Sequence, residues 1–281
     1  TSNLDVIDVD GAANFAADVT FATGADIITA SAGTSNTRVG VNAGNSIESG
    51  GNYNTVVGDE AGTAITTGDY TTALGYAAGA TVTTGLRNTY IGGLAGDAAT
   101  TANDNVGVGY GALSAAGTGT QNTAIGTAAL TVNTDGDNNT AVGRNALLAN
   151  TTADNNTAVG YASLTANTTG AQNTAVGANS ADEVTTGSDN TALGFRSLAS
   201  TTTGANNVAI GSDALRTNTT ASNNTAVGYQ ALVVNTTGPS NTAIGMNAMA
   251  ANTTGNTNTA VGSGALAANT VGDNNTALGN D

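Results

Sequence analysis

The chain of 281 residues is long enough for one or two domains, but with 4% aromatic residues and no Trp its composition argues against an ordinary globular core. It contains no His, Cys or Lys, which removes most acid–base and nucleophilic arrangements, so we expect neither an enzyme nor a bound cofactor. Its net charge of −15 argues against nucleic acid and anionic membranes as partners.

Residues 1–33 form the first predicted element and do not share the pattern of the rest of the chain. The stretch Leu4–Gly11, followed by Phe15, Val19 and Phe21, alternates apolar and polar residues, which predicts short strands. Because the open end of a repeat array needs covering, we expect this β-rich segment to be a connector or cap before the repeats.

From residue 34 to residue 281 the chain consists of about fifteen repeats. Each repeat contains Asn-Thr-Ala-Val-Gly or a close variant, and we call its last residue the motif glycine. The interval between successive motif glycines is 18 residues once and 17 thereafter. A register this regular argues against low-complexity disorder and indicates a repeat architecture. The motif glycines are Gly40, Gly58, Gly75, Gly92, Gly109, Gly126, Gly143, Gly160, Gly177, Gly194, Gly211, Gly228, Gly245, Gly262 and Gly279.

The residues between motif glycines predict strands and turns. The Asn-Thr-Ala-Val segment is short and β-branched, which favours a strand, and the following Ala-Leu segment is a second candidate strand. The Asn-Thr-Thr-Gly segment has turn chemistry, with a turn glycine such as Gly170 free to adopt positive φ. The unit therefore predicts an all-β fold, a parallel β-roll or β-solenoid of 17-residue coils. Fifteen coils would form a rod on the order of 70 Å long.

Alternation along the motif strand places Thr and Val on one face and Asn and Ala on the other. Val106 and Val208 replace Thr, which predicts that the Thr–Val face is at least half buried. The Asn side chains should stack in a ladder and form hydrogen bonds along it. Each unit offers few sizeable apolar side chains, so we expect a second surface to be buried between chains.

The unit resembles the repeats of bacteriophage tail fibres and, less closely, the head repeats of YadA-type trimeric adhesins, whose core reads Asn-Ser-Val-Ala-Ile-Gly. Residues 156–173 and 224–241 match the phage pattern Asn-Thr-Ala-Val-Gly-Tyr-x-Ala-Leu…Asn-Thr-Thr-Gly, and Val9–Phe21 is similar to connectors that precede such repeats. The resemblance implies a left-handed β-roll in a homotrimer, although the 17-residue period is longer than that of the adhesin head. It rests on Asn156, Thr157, Val159, Gly160, Leu164 and Gly170, and on Asn224, Val227, Gly228, Leu232 and Gly238.

This resemblance implies a structural segment of a virion tail fibre or extracellular filament, which acts as a rigid spacer and attaches to a host cell-surface glycan or protein receptor. One alternative is the head of a trimeric bacterial surface adhesin. Another is an ice-binding solenoid, because Thr37, Thr123 and Thr157 belong to ladders of threonine. Against ice binding, each of these threonines alternates with a Val or Ile of the type found in cores. No apolar run approaches the roughly 18–20 residues that span a bilayer, so we expect no membrane insertion.

Five aromatic residues directly follow a motif glycine and should lie along one edge of the rod. They are predicted to pack at a coil corner or chain interface, or to form a surface that contacts a glycan or receptor. These candidate surface contacts are Tyr76, Tyr110, Tyr161, Phe195 and Tyr229.

The remaining polar residues predict no catalytic or metal site. The adjacent acidic pairs Asp59-Glu60 and Asp182-Glu183 would point apart on a strand, which disfavours glycosidase chemistry. Aspartates that crowd the turns are expected to form a solvated edge, with a bridging cation as the alternative; they are Asp135, Asp137, Asp154, Asp189 and Asp273. The Asn-Thr-Thr sequons are expected to be turns rather than glycan sites; they begin at Asn150, Asn167, Asn218, Asn235 and Asn252. Because the last motif stops at Asn280-Asp281, we expect a piece of a longer or processed polypeptide.

Overall fold

The computed structural model describes residues 32–280 as a parallel β-solenoid. Fifteen three-residue strands form one sheet in sequential order, and each strand pairs in parallel with the next. The register advances by one repeat, as in the pairing of Thr157 with Thr174. The predicted solenoid of 17-residue coils is confirmed. The strands are β1 Thr37–Val39, β2 Thr55–Val57, β3 Thr72–Leu74, β4 Thr89–Ile91, β5 Val106–Val108, β6 Thr123–Ile125, β7 Thr140–Val142, β8 Thr157–Val159, β9 Thr174–Val176, β10 Thr191–Leu193, β11 Val208–Ile210, β12 Thr225–Val227, β13 Thr242–Ile244, β14 Thr259–Val261 and β15 Thr276–Leu278.

The described residues contain no helix, and therefore none that could cross a membrane. The predicted connector at residues 1–33 lies almost wholly outside the described residues.

Each coil contains one strand rather than the two that the sequence predicted. The Ala-Leu segment forms a series of tight turns, in which Leu164 and Leu232 adopt φ of 50° and 52°. These left-handed backbone conformations are uncommon for leucine and interrupt any strand. The prediction of a second strand is wrong because the leucine side chain must point into the interior at a corner of the coil. An extended backbone could not place it there.

The interior is formed by the Asn–Ala face of the strand together with the leucine position, four residues after the motif glycine. Ala158, Leu164 and their counterparts in most coils are fully buried. Arg38, Val56 and Tyr90 replace this alanine in early coils, where the leucine position is instead a glycine. Val56 and Tyr90 are fully buried, so the larger side chains at this position also belong to the interior.

The predicted ladder of motif asparagines is confirmed, and it joins side chains to main chain. The Oδ1 of Asn156 accepts a hydrogen bond from the main-chain N–H of Asn173 at 2.9 Å, and its Nδ2 donates to the carbonyl of Gly170 at 3.0 Å. Each such amide therefore holds both ends of the turn that leads into the next coil. Direct amide–amide bonds also occur, as from Asn190 Nδ2 to Asn173 Oδ1 at 3.1 Å.

The motif glycine is required by both conformation and space. Gly177 adopts a φ of 133°, and a Cβ added there would lie 2.5 Å from the carbonyl oxygen of Gly194 in the next coil. The turn glycine differs from the prediction, because Gly170 is not in the left-handed region. Ala102, Ala153 and Ala221 occupy the equivalent place in other coils. Close approach between coils, rather than positive φ, therefore favours glycine at that position.

Candidate functional site

The outer face of the sheet is a regular array of threonine and aliphatic residues. Thr157 and Val159 of β8 are partly exposed, and the other strands repeat this outward pattern. Four of the larger aliphatic residues of this face expose 40–46% of their surface: Leu74, Ile125, Leu193 and Ile244. This face is about half buried, as predicted, but it points to solvent and not to the core. The aliphatic residues thus form an apolar stripe along the solenoid, which we call the outer stripe.

The five predicted surface aromatics all lie in one column beside the outer stripe. Between 50% and 62% of the surface of each residue is exposed. We call these residues the aromatic column: Tyr76, Tyr110, Tyr161, Phe195 and Tyr229. Val41 and Met246 extend it at either end, with 69% and 54% of their surface exposed.

Two arginines contact rings of this column. The guanidinium carbon of Arg144 lies 5.9 Å from the ring centroid of Tyr161, and that of Arg196 lies 5.3 Å from the ring centroid of Phe195. Both distances fall within the range of a cation–π interaction. Sequence reasoning missed these partners, although Arg144 stands one repeat before Tyr161 and the 17-residue register could have revealed it.

A column of planar polar side chains runs next to the aromatic column in the later coils. These residues lie two positions after the motif glycine and are partly buried. The pair Arg196 and Asp213 is joined by an ion pair of 3.0 Å, and Arg216 lies 3.7 Å from the same carboxylate oxygen. We call this set the polar column: Asn145, Asn179, Arg196, Asp213, Gln230 and Asn247.

The turn aspartates form hydrogen bonds between coils. Asp137 accepts a bond from the main-chain N–H of Thr120 at 2.6 Å, and Asp154 accepts one from that of Asp137 at 2.8 Å. Asp273 accepts from Asn256 in the same manner at 2.9 Å. Among residues 32–280 no group of three or more acidic residues is arranged to hold a metal ion. These turn carboxylates act as hydrogen-bond acceptors between neighbouring coils along the rod.

Two carboxylates are partly buried in corners of the solenoid. Desolvation raises the pKa of Asp97, and it raises the pKa of Asp182, to which the charge of Glu183 adds while that of Arg196 opposes it. One oxygen of each carboxylate has no hydrogen-bond partner among the described residues. They lie in separate coils, five residues after Gly92 and Gly177 respectively, so they do not form a pair for acid–base chemistry.

The sequon asparagines are interior residues. Asn150, Asn167, Asn218, Asn235 and Asn252 are fully buried. They stack in two runs separated by Val184 and Thr201, in which Asn167 Nδ2 donates to Asn150 Oδ1 at 3.0 Å and Asn235 Nδ2 donates to Asn218 Oδ1 at 3.1 Å. Each also donates to the carbonyl three residues ahead, as Asn167 does to Gly170 at 2.9 Å. Their interpretation as turn residues is thus supported, and the folded chain offers no access to a glycosylating enzyme.

A stacked tyrosine pair was missed at the sequence level. The ring centroids of Tyr53 and Tyr70 lie 5.0 Å apart with an interplanar angle of 11°, and about half of each side chain is exposed. Their separation of 17 residues was the available signal, because it places them at equivalent points of successive coils. They lie in the turn before the motif strand, on a different edge from the aromatic column.

Comparison with known proteins finds no matching family model, no matching curated protein and no matching solved structure. The resemblance to phage fibre and adhesin repeats therefore remains a prediction from the motif.

Proposed function

We propose that this chain is a structural, non-enzymatic segment of a virion tail fibre or extracellular filament, and that it acts as a rigid spacer. The observation that carries the proposal is the unbroken stack of fifteen strands, each paired with the next in the same register. An uninterrupted stack has a fixed direction and a length on the order of 70 Å. Such a shape suits an element that holds a distal part away from a surface.

Rigidity follows from the number of bonds that each coil makes with the next. Besides the strand pairing, the motif asparagine bonds to the next turn, and a threonine ladder adds contacts such as Thr168 Oγ1 to the carbonyl of Thr185 at 3.0 Å. The turn that precedes the motif strand contributes a further hydrogen bond between coils, from the N–H of Ala171 to Ser188 Oγ at 3.1 Å. Because these bonds surround the coil, bending the rod in any direction would break several of them together.

The proposed partner is a second and third copy of the same chain, in a parallel left-handed homotrimer as the resemblance implies. The outer stripe supports self-association, because a long exposed apolar surface typically marks an interaction site. A parallel copy has the same 17-residue period and can match this stripe coil by coil. Threonine and aliphatic residues would then be covered along the whole rod.

Light scattering after size exclusion tests the assembly. We expect a mass near three times the 26.9 kDa of the chain. The triple variant Ile125→Thr, Leu193→Thr and Ile244→Thr keeps β-branched or small side chains on the strands but weakens the outer stripe, so its mass should fall towards one chain. Val271→Thr, at an exposed site away from the stripe, is the control. A monomeric unmodified chain would contradict the trimer.

Ice binding is the second candidate, and the outward direction of the threonines favours it. The argument against it assumed that the alternating Val faces a core, yet residues such as Leu193 and Ile244 point to solvent beside the threonines. The outer sheet face is thus a regular array of hydroxyl and methyl groups. An ice-recrystallisation assay should show inhibition that Thr157→Lys and Thr174→Lys abolish. Unchanged crystal growth in the presence of the unmodified protein would exclude this function.

A further inference from the structure

We infer that the aromatic column binds an extended, uncharged polysaccharide of β-linked pyranose sugars, laid along the axis of the rod. The inference depends on the solenoid geometry of the proposed spacer and adds to it a defined class of ligand. It does not depend on the number of chains in the assembly.

The spacing of the rings along the rod matches the repeat of a β-linked sugar chain. Tyr161, Phe195 and Tyr229 are separated by 34 residues each, which is two coils. With about 4.8 Å between neighbouring strands, their rings recur about every 10 Å along the axis. One coil rise is close to the length of one pyranose in an extended β-1,4-linked chain, and such a chain presents the same face at every second sugar. The rings therefore match the ligand at every second sugar.

The residues between these rings leave room for the ligand. Ala178 and Ser212 occupy the equivalent positions in the intervening coils, and both are small. The guanidinium groups of Arg144 and Arg196 lie over one face of the Tyr161 and Phe195 rings, so a sugar would stack on the opposite face of each. Each of the three residues exposes about half of its surface: 50% for Tyr161, 51% for Phe195 and 50% for Tyr229. The face of an aromatic ring is negative, and it attracts the weakly positive C–H face of a pyranose.

The polar column supplies groups for the sugar hydroxyls. Asn179 lies between Tyr161 and Phe195 along the axis, and Gln230 directly follows Tyr229. Their planar amides can donate to and accept from neighbouring hydroxyl groups. A site of apolar platforms with a few fixed polar groups is the usual composition of a small-molecule or oligosaccharide cleft, here opened into a linear track.

Charge selects an uncharged ligand. The chain has a net charge of −15, which repels polyanionic glycans over the whole rod. Near the column, the guanidinium of Arg196 is already paired with Asp213 at 3.0 Å. Arg144 lies over the ring of Tyr161. Among the described residues from Tyr161 to Tyr229 the arginines Arg196 and Arg216 are paired with Asp213, so Arg144 alone is too little to reverse the repulsion of a polyanion.

Sedimentation of the full chain with insoluble cellulose and chitin, and gel retardation by soluble β-mannan, test the inference. We expect binding to at least one of these three polymers, and none to starch, which is α-linked and helical, or to alginate, which is a polyanion. The triple variant Tyr161→Ala, Phe195→Ala and Tyr229→Ala should weaken binding at least tenfold. Tyr53→Ala with Tyr70→Ala removes the other exposed tyrosine pair and should leave binding unchanged.

The solution mass of each protein separates this inference from the proposed assembly. A monomeric chain that binds β-linked glycans through the column would uphold the inference and contradict the trimer. If none of the three polymers is bound, or if the triple variant binds as well as the unmodified chain, the inference is overturned. It is also overturned if alginate is the preferred ligand.

Discussion

The ring of Tyr90 occupies the interior space that a side chain at Gly96 would need, since a Cβ built on Gly96 would overlap three of its carbon atoms. Gly107, the equivalent of Tyr90 in the next coil, also leaves room for the ring: a Cβ there would lie 3.1 Å from Tyr90 Cδ1. The same relation holds for one further pair of residues: a Cβ built on Gly62 would lie 2.6 Å from Val56 Cγ1. In these two coils a larger residue on the strand is thus matched by glycine at the leucine position, as close packing of the interior requires.

The first prediction replaces the Tyr90–Gly96 pair by the Ala–Leu pair that fills the interior of the later coils. Gly96→Leu alone should destabilise the protein by about 1–3 kcal/mol through overpacking, and Tyr90→Ala alone by about 3–5 kcal/mol through the cavity it leaves. Because Ala and Leu occupy these positions together in the later coils, the double variant should cost less than the sum of the two by at least about 1 kcal/mol. Urea unfolding followed by circular dichroism measures all three, and additive losses would contradict the account.

This packing relation also shows what the sequence could reveal about the fold. The 17-residue interval predicted the coil, the motif strand and the stacked asparagines, because each depends only on the register. The second strand was wrongly predicted, because β-propensity does not reveal that Leu164 turns at a φ of 50°. The outward direction of the Thr–Val face was also missed, since Val159 is as apolar as a core residue, yet the interior is filled by Ala158 and Leu164.

The candidate site was predictable to the same extent. The column from Tyr76 to Tyr229 follows from its constant place after the motif glycine. The contacts of Arg144 and Arg196 with rings were not predicted, because they require side-chain directions at a corner. The asparagine at position 167 was correctly assigned to a turn, but its burial depends on the inward direction of that turn, which composition does not indicate.

The second prediction concerns the two glycine positions. Gly177→Ala should destabilise the protein by at least about 3 kcal/mol, because the methyl group would meet the carbonyl of Gly194 and alanine is strained at a φ of 133°. Gly170→Ala is the matched comparison, because a methyl group there would also crowd a carbonyl of the next coil, that of Gly187, but at a φ that alanine adopts without strain. Ala153 and Ala221 occupy the equivalent position in other coils, so Gly170→Ala should cost less than Gly177→Ala by at least about 1 kcal/mol. Thermal unfolding of both variants gives the comparison. Equal losses would show that the crowding at Gly177 is relieved by a shift of the coil.

The third prediction tests the asparagine ladder. In Asn156→Asp the side chain keeps its shape but loses the donor to the carbonyl of Gly170, and at neutral pH a carboxylate would face that oxygen. We expect a loss of at least about 3 kcal/mol, since one oxygen of a buried carboxylate would face a carbonyl oxygen instead of donating to it, and only the bond from the N–H of Asn173 would remain. Asn138→Asp introduces the same charge at an exposed position and should be nearly neutral. Hydrogen exchange of the N–H of Asn173, which bonds to Asn156, should accelerate only in the first variant.

The fourth prediction is a pH dependence that arises at Asp97 and Asp182. Burial raises the pKa of both carboxyl groups, so the folded state binds their protons more tightly than the unfolded state does. Their contribution is therefore most favourable below the ordinary aspartate pKa, and it is lost as the pH rises through the raised value of the folded state. Asp97→Asn and Asp182→Asn should each raise the unfolding midpoint at pH 7 and change nothing near pH 2. The gain should be at most about 1 kcal/mol, because both side chains retain contact with water.

Asp189→Asn supplies the control for the fourth prediction, because it removes one negative charge from an exposed turn of the same acidic chain. If relief of the overall charge of −15 caused the stabilisation, this variant would stabilise the protein as much as the two corner variants at pH 7. If desolvation is the cause, only Asp97→Asn and Asp182→Asn should show a gain that disappears on acidification. Thermal unfolding from pH 2 to pH 7 separates the two, and a pH-independent gain at Asp97 would rule out the raised pKa as its origin.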